Sequence, residues 1–574
     1  MQSHGDGHGA LREAISLQRR LQVFLVALFC FSCVPSATLY AATASKDKEY
    51  FDIVKSIDLF GEVYREVSKN YVDTLNVSKL IYAGIDGMLN TLDPYTVFLD
   101  EEDAGDLDDM TNGQYAGIGV IISPVDGVLF VTSVVDGSAA AKAGIRPGDA
   151  IVAIDSKDVR KSPFDEVKSL MKGAAGTPLS LRLEREGSLP FSVKVIREEV
   201  RVSPVSYSAL LDGIGYVEMK NFSTHSAENL REAIQGLQRQ ASEKRIPMKG
   251  IILDLRNNPG GLLTVAVDVA SLFLNKGSLV VSIRGRMPDT AKDYVTATSP
   301  IDATLPLAVL INSDSASASE IVAGAIQDLD RGVIIGERSF GKGLVQSVLR
   351  ISYHNTLKLT TAKYYTPSGR LIQKAKEPAH DARKVLHKER EDKGVVVFYT
   401  RGKRKVYGNG GITPDIQLFD PAKSPYLSAL RKKSMLFLFT SFYCSSHTVI
   451  PSQPFDRKAL MASFNDFLRR KNFVYTSETE RRFNELKESM KKTSGAHNSE
   501  WMKTLAVLQQ EVNRLKEHEI AKESERVGLM LEEEIIRHFS ERLARKVELD
   551  HDLVVKKALE LLSDSRKYSG TLHP

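Results

Sequence analysis

Cysteine is scarce in this chain. Only Cys30, Cys33 and Cys444 occur in 574 residues, and the first two lie in an N-terminal segment with the marks of an export signal. A processed chain would keep one, which excludes an internal disulfide framework and a cysteine metal site. Net charge is also small: 77 basic against 72 acidic residues leave +5. That balance gives no reason to expect nucleic acid, and no RNA-binding signature or zinc-finger spacing is present. Long apolar runs are missing too. "LQVFLVALFCFSCV" is too short to span a membrane comfortably, and "SMLFLFTSFYC" at 434–444 is shorter still and reads as core. There is no Gly-x-Ser-x-Gly elbow. Of twelve histidines, only His225 and His354 fall in the α/β region outside its basic insert. Neither carries a signature of a triad base.

At the N-terminus, Arg19 and Arg20 precede the apolar stretch, and small residues follow in "LYAATA". This pattern predicts a signal peptide or a single anchor over 1–44. Cys30 and Phe31 suit a lipobox poorly, which disfavours a lipid anchor on Cys33. Either way the body of the protein is expected across a membrane, in the periplasm or anchored to the outer face of the inner membrane. Apolar residues at 42% and charged residues at 26% are enough for several cores.

Ile53, Ile57, Phe60, Tyr64 and Val67 recur at helical spacing, as do Ile81, Ile85 and Met88. They predict a helical domain over 45–112, broken at Asp93-Pro94. Short β-rich runs follow over 113–200: "GIGVIIS", "VLFVTSV", "AGIRPGDAIVAID", "PLSLRLERE". Ser162 reads there as an N-cap with Pro163 at the first helical position. From 201 to 422 strands alternate with helices, and the apolar runs "IILDL" and "LAVLI" read as strands buried on both faces. Residues 374–409 are basic and read as an inserted loop or arm. Residues 423–574 are helical and charged. Leu508, Val512 and Leu515, and Ile535, Phe539 and Leu543, each line a helix face, which fits either a coiled-coil-like docking segment or an ordinary helical domain.

Three stretches of the α/β region carry chemistry. In "SDSASASE", Ser317-x-x-Glu320 is a capping box before the helix "IVAGAIQDL". A hydroxyl at a helix N-terminus also sits where free N–H groups stabilise developing negative charge. In "ERSFGKGLVQ", Lys342 stands between two glycines. A buried lysine can serve as a base because desolvation disfavours its ammonium. Gly336 to Lys342 also reads G-x-x-x-x-G-K, but a phosphate loop needs Ser or Thr next and then a helix. Here Gly343 and a strand-like run follow. In "LDLRNNPGG", an Asn-Pro-Gly-Gly turn leads from a strand into a helix, and its N–H groups are candidates to hold an oxyanion.

Residues 115–198 resemble a PDZ domain of the bacterial protease-associated kind, with Gly117, Ile118, Gly119 and Val120 where such domains hold a peptide's C-terminal carboxylate. The segments "DLRNNPGG", "SASASE", "GERSFGKGLVQ", "KLTTAKYYTPSGRLIQ" and "GITPDI" stand in the order of the carboxyl-terminal processing proteases, the tail-specific Ser–Lys endopeptidases of peptidase family S41. The chain resembles that family over about 50–416, including "LDP" at 92–94. The resemblance implies a multidomain α/β protein: an N-terminal helical segment, a β-rich PDZ domain, a crotonase- or ClpP-like protease core and a C-terminal helical region. It implies Ser317 as nucleophile, Lys342 as general base and Gln346 as the residue that holds the lysine. The N–H of Ala318 and that of Gly260 or Gly261 would form the oxyanion hole. Ser315 and Ser319 would be structural. It further implies that neither Glu320 nor Glu337 pairs with the Lys342 ammonium, and that no metal or organic cofactor is needed. Expected partners are protein substrates recognised by their C-termini. The helical N- and C-terminal regions are candidates for homo-oligomerisation, and an adaptor protein is a candidate partner. A catalytically silent PDZ scaffold is the competing class, but a scaffold has no need to retain both Ser317 and Lys342.

Overall fold

The computed structural model describes residues 34–374, 396–419, 424–447, 449–451, 453–494 and 499–573. The stretch 1–33 of the export reading and 375–395 of the basic insert lie outside the described residues. No helix among the described residues is long and apolar enough to cross a membrane.

Residues up to Leu92 form a unit of their own. It consists of α1 (Val34–Asn70) and α2 (Val77–Leu89). The Tyr64 hydroxyl donates to the Val77 carbonyl at 2.9 Å and so links the two. The predicted stripe of Ile53, Ile57 and Phe60 is solvent-exposed.

The second unit opens with β1 (Val97–Leu99) and α3 (Glu101–Asn112). The β-rich part follows: β2 (Gln114–Gly117), β3 (Val120–Val125), β4 (Val128–Val134), α4 (Ala139–Lys142), β5 (Ala150–Ile154), β6 (Lys157–Asp158), α5 (Phe164–Met171), β7 (Pro178–Glu184), β8 (Phe191–Ile196) and β9 (Glu198–Arg201). The sheet runs β3-β4-β5-β7-β8, so β3 is an edge strand. Alternate apolar residues of β7 (Leu179, Leu181 and Leu183) are buried in its core with Val167 and Met171 of α5. Ser162 does not cap α5. Pro163 takes the cap position and the helix starts at Phe164, with no side-chain hydrogen bond to its cap.

The α/β part comprises β10 (Val205–Leu211), β11 (Ile214–Met219), α6 (Ser226–Glu243), β12 (Gly250–Asp254), α7 (Leu263–Ser271), β13 (Leu279–Gly285), β14 (Lys292–Val295), β15 (Leu307–Ile311), α8 (Ala318–Asp328), β16 (Val333–Gly336), β17 (Leu344–Arg350), β18 (Thr356–Tyr365), β19 (Val397–Tyr399), β20 (Lys405–Tyr407) and β21 (Ile416–Gln417). The main sheet runs β10-β11-β12-β15-β16-β21 and is parallel from β11 onward. Its inner strands β11, β12, β15 and β16 are buried on both faces, as the apolar runs of β12 and β15 predict. Ile251 and Leu253 of β12 face a core shared with α6, α7 and α8. Ile252 faces the opposite core. The second sheet runs β1-β18-β13-β14, with β17 on the free side of β18. The described part of the basic insert is no free arm: β19 and β20 form a hairpin held by Arg404, which pairs with Asp330 at 2.8 Å and Asp415 at 2.5 Å.

The chain ends in α9 (Pro425–Lys432), α10 (Met435–Cys444), α11 (Arg457–Arg470), α12 (Glu478–Ser494), α13 (Ser499–Lys522), α14 (Ser524–Phe539), α15 (Glu541–His551), α16 (Leu553–Ser563) and α17 (Ser565–Leu572). The apolar α10 is buried with α11 and α14 around Phe439 and Phe464. Cys444 is free there, and burial pushes its thiol up to about 12. Phe437 of α10 meets Phe130 of β4 edge to face at 5.8 Å, which ties this bundle to the β-rich part. α12 and α13 share a small core of Phe483, Leu505 and Val512. Val554, Val555, Ala558, Leu561 and Leu562 of α16 cover the outer face of the main sheet.

Candidate functional site

Parallel α/β sheets place ligands outside the carboxyl ends of their strands, and the three chemical segments meet there. β12 runs into the turn Asn257–Gly261, and β15 runs into Asn312–Ser317 and then α8. Asn258 is buried between them. Its side chain donates to the Met219 carbonyl at 2.9 Å and accepts from the Gly260 N–H at 2.9 Å. Its carbonyl accepts from the Ala316 N–H at 3.0 Å and the Ser319 hydroxyl at 2.9 Å. The Ser315 hydroxyl donates to the Leu255 carbonyl at 2.8 Å. Ser315 and Ser319 are thus fully buried fasteners.

Ser317 caps α8 with φ 55° and ψ −111°, a backbone state that costs a non-glycine residue roughly 1–3 kcal/mol and is held only by its surroundings. Two groups hold it. The buried Glu320 carboxylate accepts from the Ser317 N–H at 2.8 Å, as the capping-box reading expects. It accepts as well from the N–H of Gly341 at 2.7 Å, the N–H of Lys342 at 2.9 Å and the Ser339 hydroxyl at 2.5 Å. Tyr364, from β18, donates its hydroxyl to the Ser317 carbonyl at 3.2 Å and to the Lys342 carbonyl. The backbones of Ser317 and Lys342 are therefore fastened to the same carboxylate and the same phenol. Burial pushes Glu320 up to about 7, against the hydrogen bonds that hold it down.

Glu320 bonds the amide of Lys342, not its ammonium. Nζ donates to Gln346 Oε1 at 2.9 Å and lies 4.6 Å from the ring centre of Tyr95. Among the described hydrogen bonds, none joins Nζ to the Ser317 hydroxyl. Burial lowers the Lys342 pKa to about 8, the positive charge of Lys358 adds to the drop, and Glu320 and Asp93 oppose it. Close backbone approach explains the glycine that follows: a Cβ on Gly343 would lie 2.8 Å from the Gln373 N. The strand β17 after Lys342 removes the phosphate-loop reading, which requires a helix.

The N–H groups of Ala318, next in the chain to Ser317, and of Gly261 give no hydrogen bond among the described residues. Gly260 spends its own on Asn258. Gly260 is nonetheless the closer wall: with φ 101°, a Cβ there would lie 2.8 Å from Ser317 Cβ and 2.9 Å from the Ala318 N.

In the β-rich part, Gly117 ends β2 and Val120 starts β3. The N–H groups of Ile118 and Gly119 between them find no partner among the described residues. The adjacent β3 offers a free edge for an added strand. His225 is an exposed residue beside Glu228, and His354 lies in the β17–β18 turn.

Residues 213–380 match peptidase family S41, 130–185 match a PDZ domain, 426–562 match the C-terminal helical domain of a probable PDZ-protease, and 34–103 match the N-terminal domain of the activating protease CtpB. A carboxy-terminal-processing protease of Bartonella bacilliformis is 41% identical over 320 residues, which cover 56% of this chain and 73% of that protein. The chain belongs to the carboxy-terminal processing protease family, peptidase family S41. The carboxy-terminal processing protease CtpA of Bacillus subtilis is 32% identical over 363 residues, or 62% and 76% of the two chains. A carboxyl-terminal-processing protease of Synechocystis is 36% identical over 303 residues, or 51% and 68%. The protein is a multidomain serine protease of this family with a PDZ domain and helical regions at either end.

Sequence reasoning passed over three groups at this candidate site. Tyr364 lies inside "KLTTAKYYTPSGRLIQ", and Asn258 inside "DLRNNPGG", with nothing in the spacing to mark either. Tyr95 follows the "LDP" noted at 92–94. Asp93 accepts from the N–H groups of Tyr95 and Thr96, both at 2.8 Å. Thr96 accepts from the Thr360 N–H at 3.2 Å, which docks the loop on β18.

Proposed function

We propose that this protease cleaves exported proteins near their C-termini with a Ser317–Lys342 dyad, and that its PDZ domain binds substrate tails and gates the site. The observation that carries the dyad is the shared fastening of both residues by Glu320 and Tyr364. Neutral Lys342 takes the proton of the Ser317 hydroxyl as Oγ attacks the scissile carbonyl. The oxyanion accepts from the N–H groups of Ala318 and Gly261, the pair left without partners. Lys342 then gives its proton to the leaving amine. Water, deprotonated by the same lysine, then attacks the acyl carbon; the C–Oγ bond breaks, and Lys342 returns the proton to Ser317 Oγ. Gln346 holds the base. Nζ is bonded to Gln346 and not to the Ser317 hydroxyl in the arrangement described above, which we read as a resting one. The reading divides the chain at residues 44, 112, 200 and 422 and places it in the periplasm or on the outer face of the inner membrane. It leaves the helical ends and an adaptor as routes to assembly.

Purified protein incubated with an unfolded substrate bearing an apolar C-terminal tail is expected to cleave it. Replacing the last apolar residues of that tail by Asp is expected to slow cleavage about tenfold or more, since a buried unpaired charge is costly at the PDZ groove. An unchanged rate removes the tail-sensing role.

The base must be neutral to act, so kcat/KM is expected to rise with pH through about 8, where Lys342 loses its proton. Lys358→Met removes the like charge that helps depress that pKa. The rising limb is then expected to move to higher pH, and a limb that stays in place contradicts the electrostatic account.

A further inference from the structure

We infer that the C-terminal helices α15 and α16 hold the oxyanion turn in register, with Arg545 and Asp552 as positioning residues. The inference rests on the dyad reading above. Asp254, the last residue of β12, is fully buried. Its carboxylate accepts from the Tyr216 hydroxyl at 2.7 Å and from the Arg256 guanidinium at 2.6 Å. Arg545 of α15 reaches the same cluster. It lies 3.6 Å from Asp254, donates to the Tyr216 hydroxyl at 2.9 Å and pairs with Glu218 and Glu548, each at 2.6 Å. Lys220 completes the set by pairing with Glu218 at 2.8 Å.

Arg256 carries the connection forward. The nitrogen that meets Asp254 also donates to Asp552 Oδ2 at 2.7 Å. Asp552 uses its other oxygen differently: Oδ1 accepts from the N–H groups of Val554 and Val555, at 2.9 and 3.0 Å, and so caps α16. Two residues beyond Arg256 lies Asn258, which clamps Gly260, Ala316 and Ser319. A shift of Arg256 therefore reaches both the Gly260-Gly261 turn and the loop that bears Ser317. The apolar face of α16 seats the tail on the sheet by itself. Buried ion pairs add little net stability over apolar packing. Their place here, where β12 meets the turn, assigns them to orientation.

Asp552→Asn separates the two tasks of this carboxylate. It keeps the capping oxygen and puts an amide donor opposite Arg256. The expected result is a kcat lowered about tenfold with KM within about twofold, and faster hydrogen exchange at 255–262 while α16 exchanges as before. In an Arg256→Met background the same change is expected to lower kcat no further, because the partner it acts through is gone. Equal loss of kcat in both backgrounds, or unchanged kcat and exchange in Asp552→Asn alone, overturns the inference. If Arg256→Met does not fold, the exchange comparison decides alone. An active Ser317→Ala variant would overturn the dyad on which the inference rests, whereas unchanged kcat and exchange in Asp552→Asn with an inactive Ser317→Ala would overturn the inference alone.

Discussion

Lys342→Ala is expected to abolish cleavage of an unfolded, tailed substrate, and Ser317→Ala to do the same. Each should fall on the order of 10⁴-fold or more, since residues of a nucleophile–base unit act together and removing one costs nearly as much as removing both. The double variant should accordingly be no worse than either single one. Both proteins should keep their fold. At Lys342, Glu320 holds the amide and Tyr364 the carbonyl, so the substitution removes only a side chain bonded to Gln346 and resting on Tyr95. At Ser317 the anchors to Glu320 and Tyr364 are likewise backbone groups. Near-wild-type thermal unfolding with background activity is the expected pair of readings. Full activity in either variant would remove the dyad.

Gly260→Ala is expected to be nearly as damaging for a different reason. Its added methyl would lie 2.7 Å from the Ala316 carbonyl oxygen, 2.8 Å from Ser317 Cβ and 2.9 Å from the Ala318 N. All three are in the segment that must stay in place, and an alanine at φ 101° is itself strained. Loss of one oxyanion donor costs about 10²–10³ in kcat. A methyl that displaces the Ala318 N–H and Ser317 together should cost at least that much. Steady-state kinetics of the variant checks this. A kcat within about threefold of wild type would show that Gly260 does not border the reacting atoms.

Much of this was legible in the sequence because it depends on local rules. The apolar runs "IILDL" and "LAVLI" mark strands buried on both faces, and the capping box marks the start of α8. Lys342 stood out because two glycines flank it, and Gly343 is where the Gln373 backbone comes close. The glycine pair of "NPGG" was not separable by sequence, since both residues suit a turn. Their difference lies in one hydrogen bond, from Gly260 to the side chain of Asn258. What stayed hidden depends on long-range contact. Glu320 read as a helix cap, while its bonds to Gly341, Lys342 and Ser339 come from the connection between β16 and β17. Tyr95 meets Lys342 across nearly half the chain. The strand runs demanded a cover for the outer face of the main sheet, but no pattern in the charged tail shows that α16 supplies it. The N-cap expected at Ser162 falls one residue on, at Pro163, so that the helix starts at Phe164 with no side-chain cap.

The central claim is that the Ser317 hydroxyl carries the acyl group during turnover. The most direct test is an acid quench of the wild-type enzyme while it turns over an activated ester of an apolar peptide, followed by mass mapping of the chain. The account predicts the acyl group on Ser317 and on no other serine of "SDSASASE", and no adduct in Ser317→Ala. An adduct on Ser313, Ser315 or Ser319, or turnover by Ser317→Ala at the wild-type rate, would contradict it.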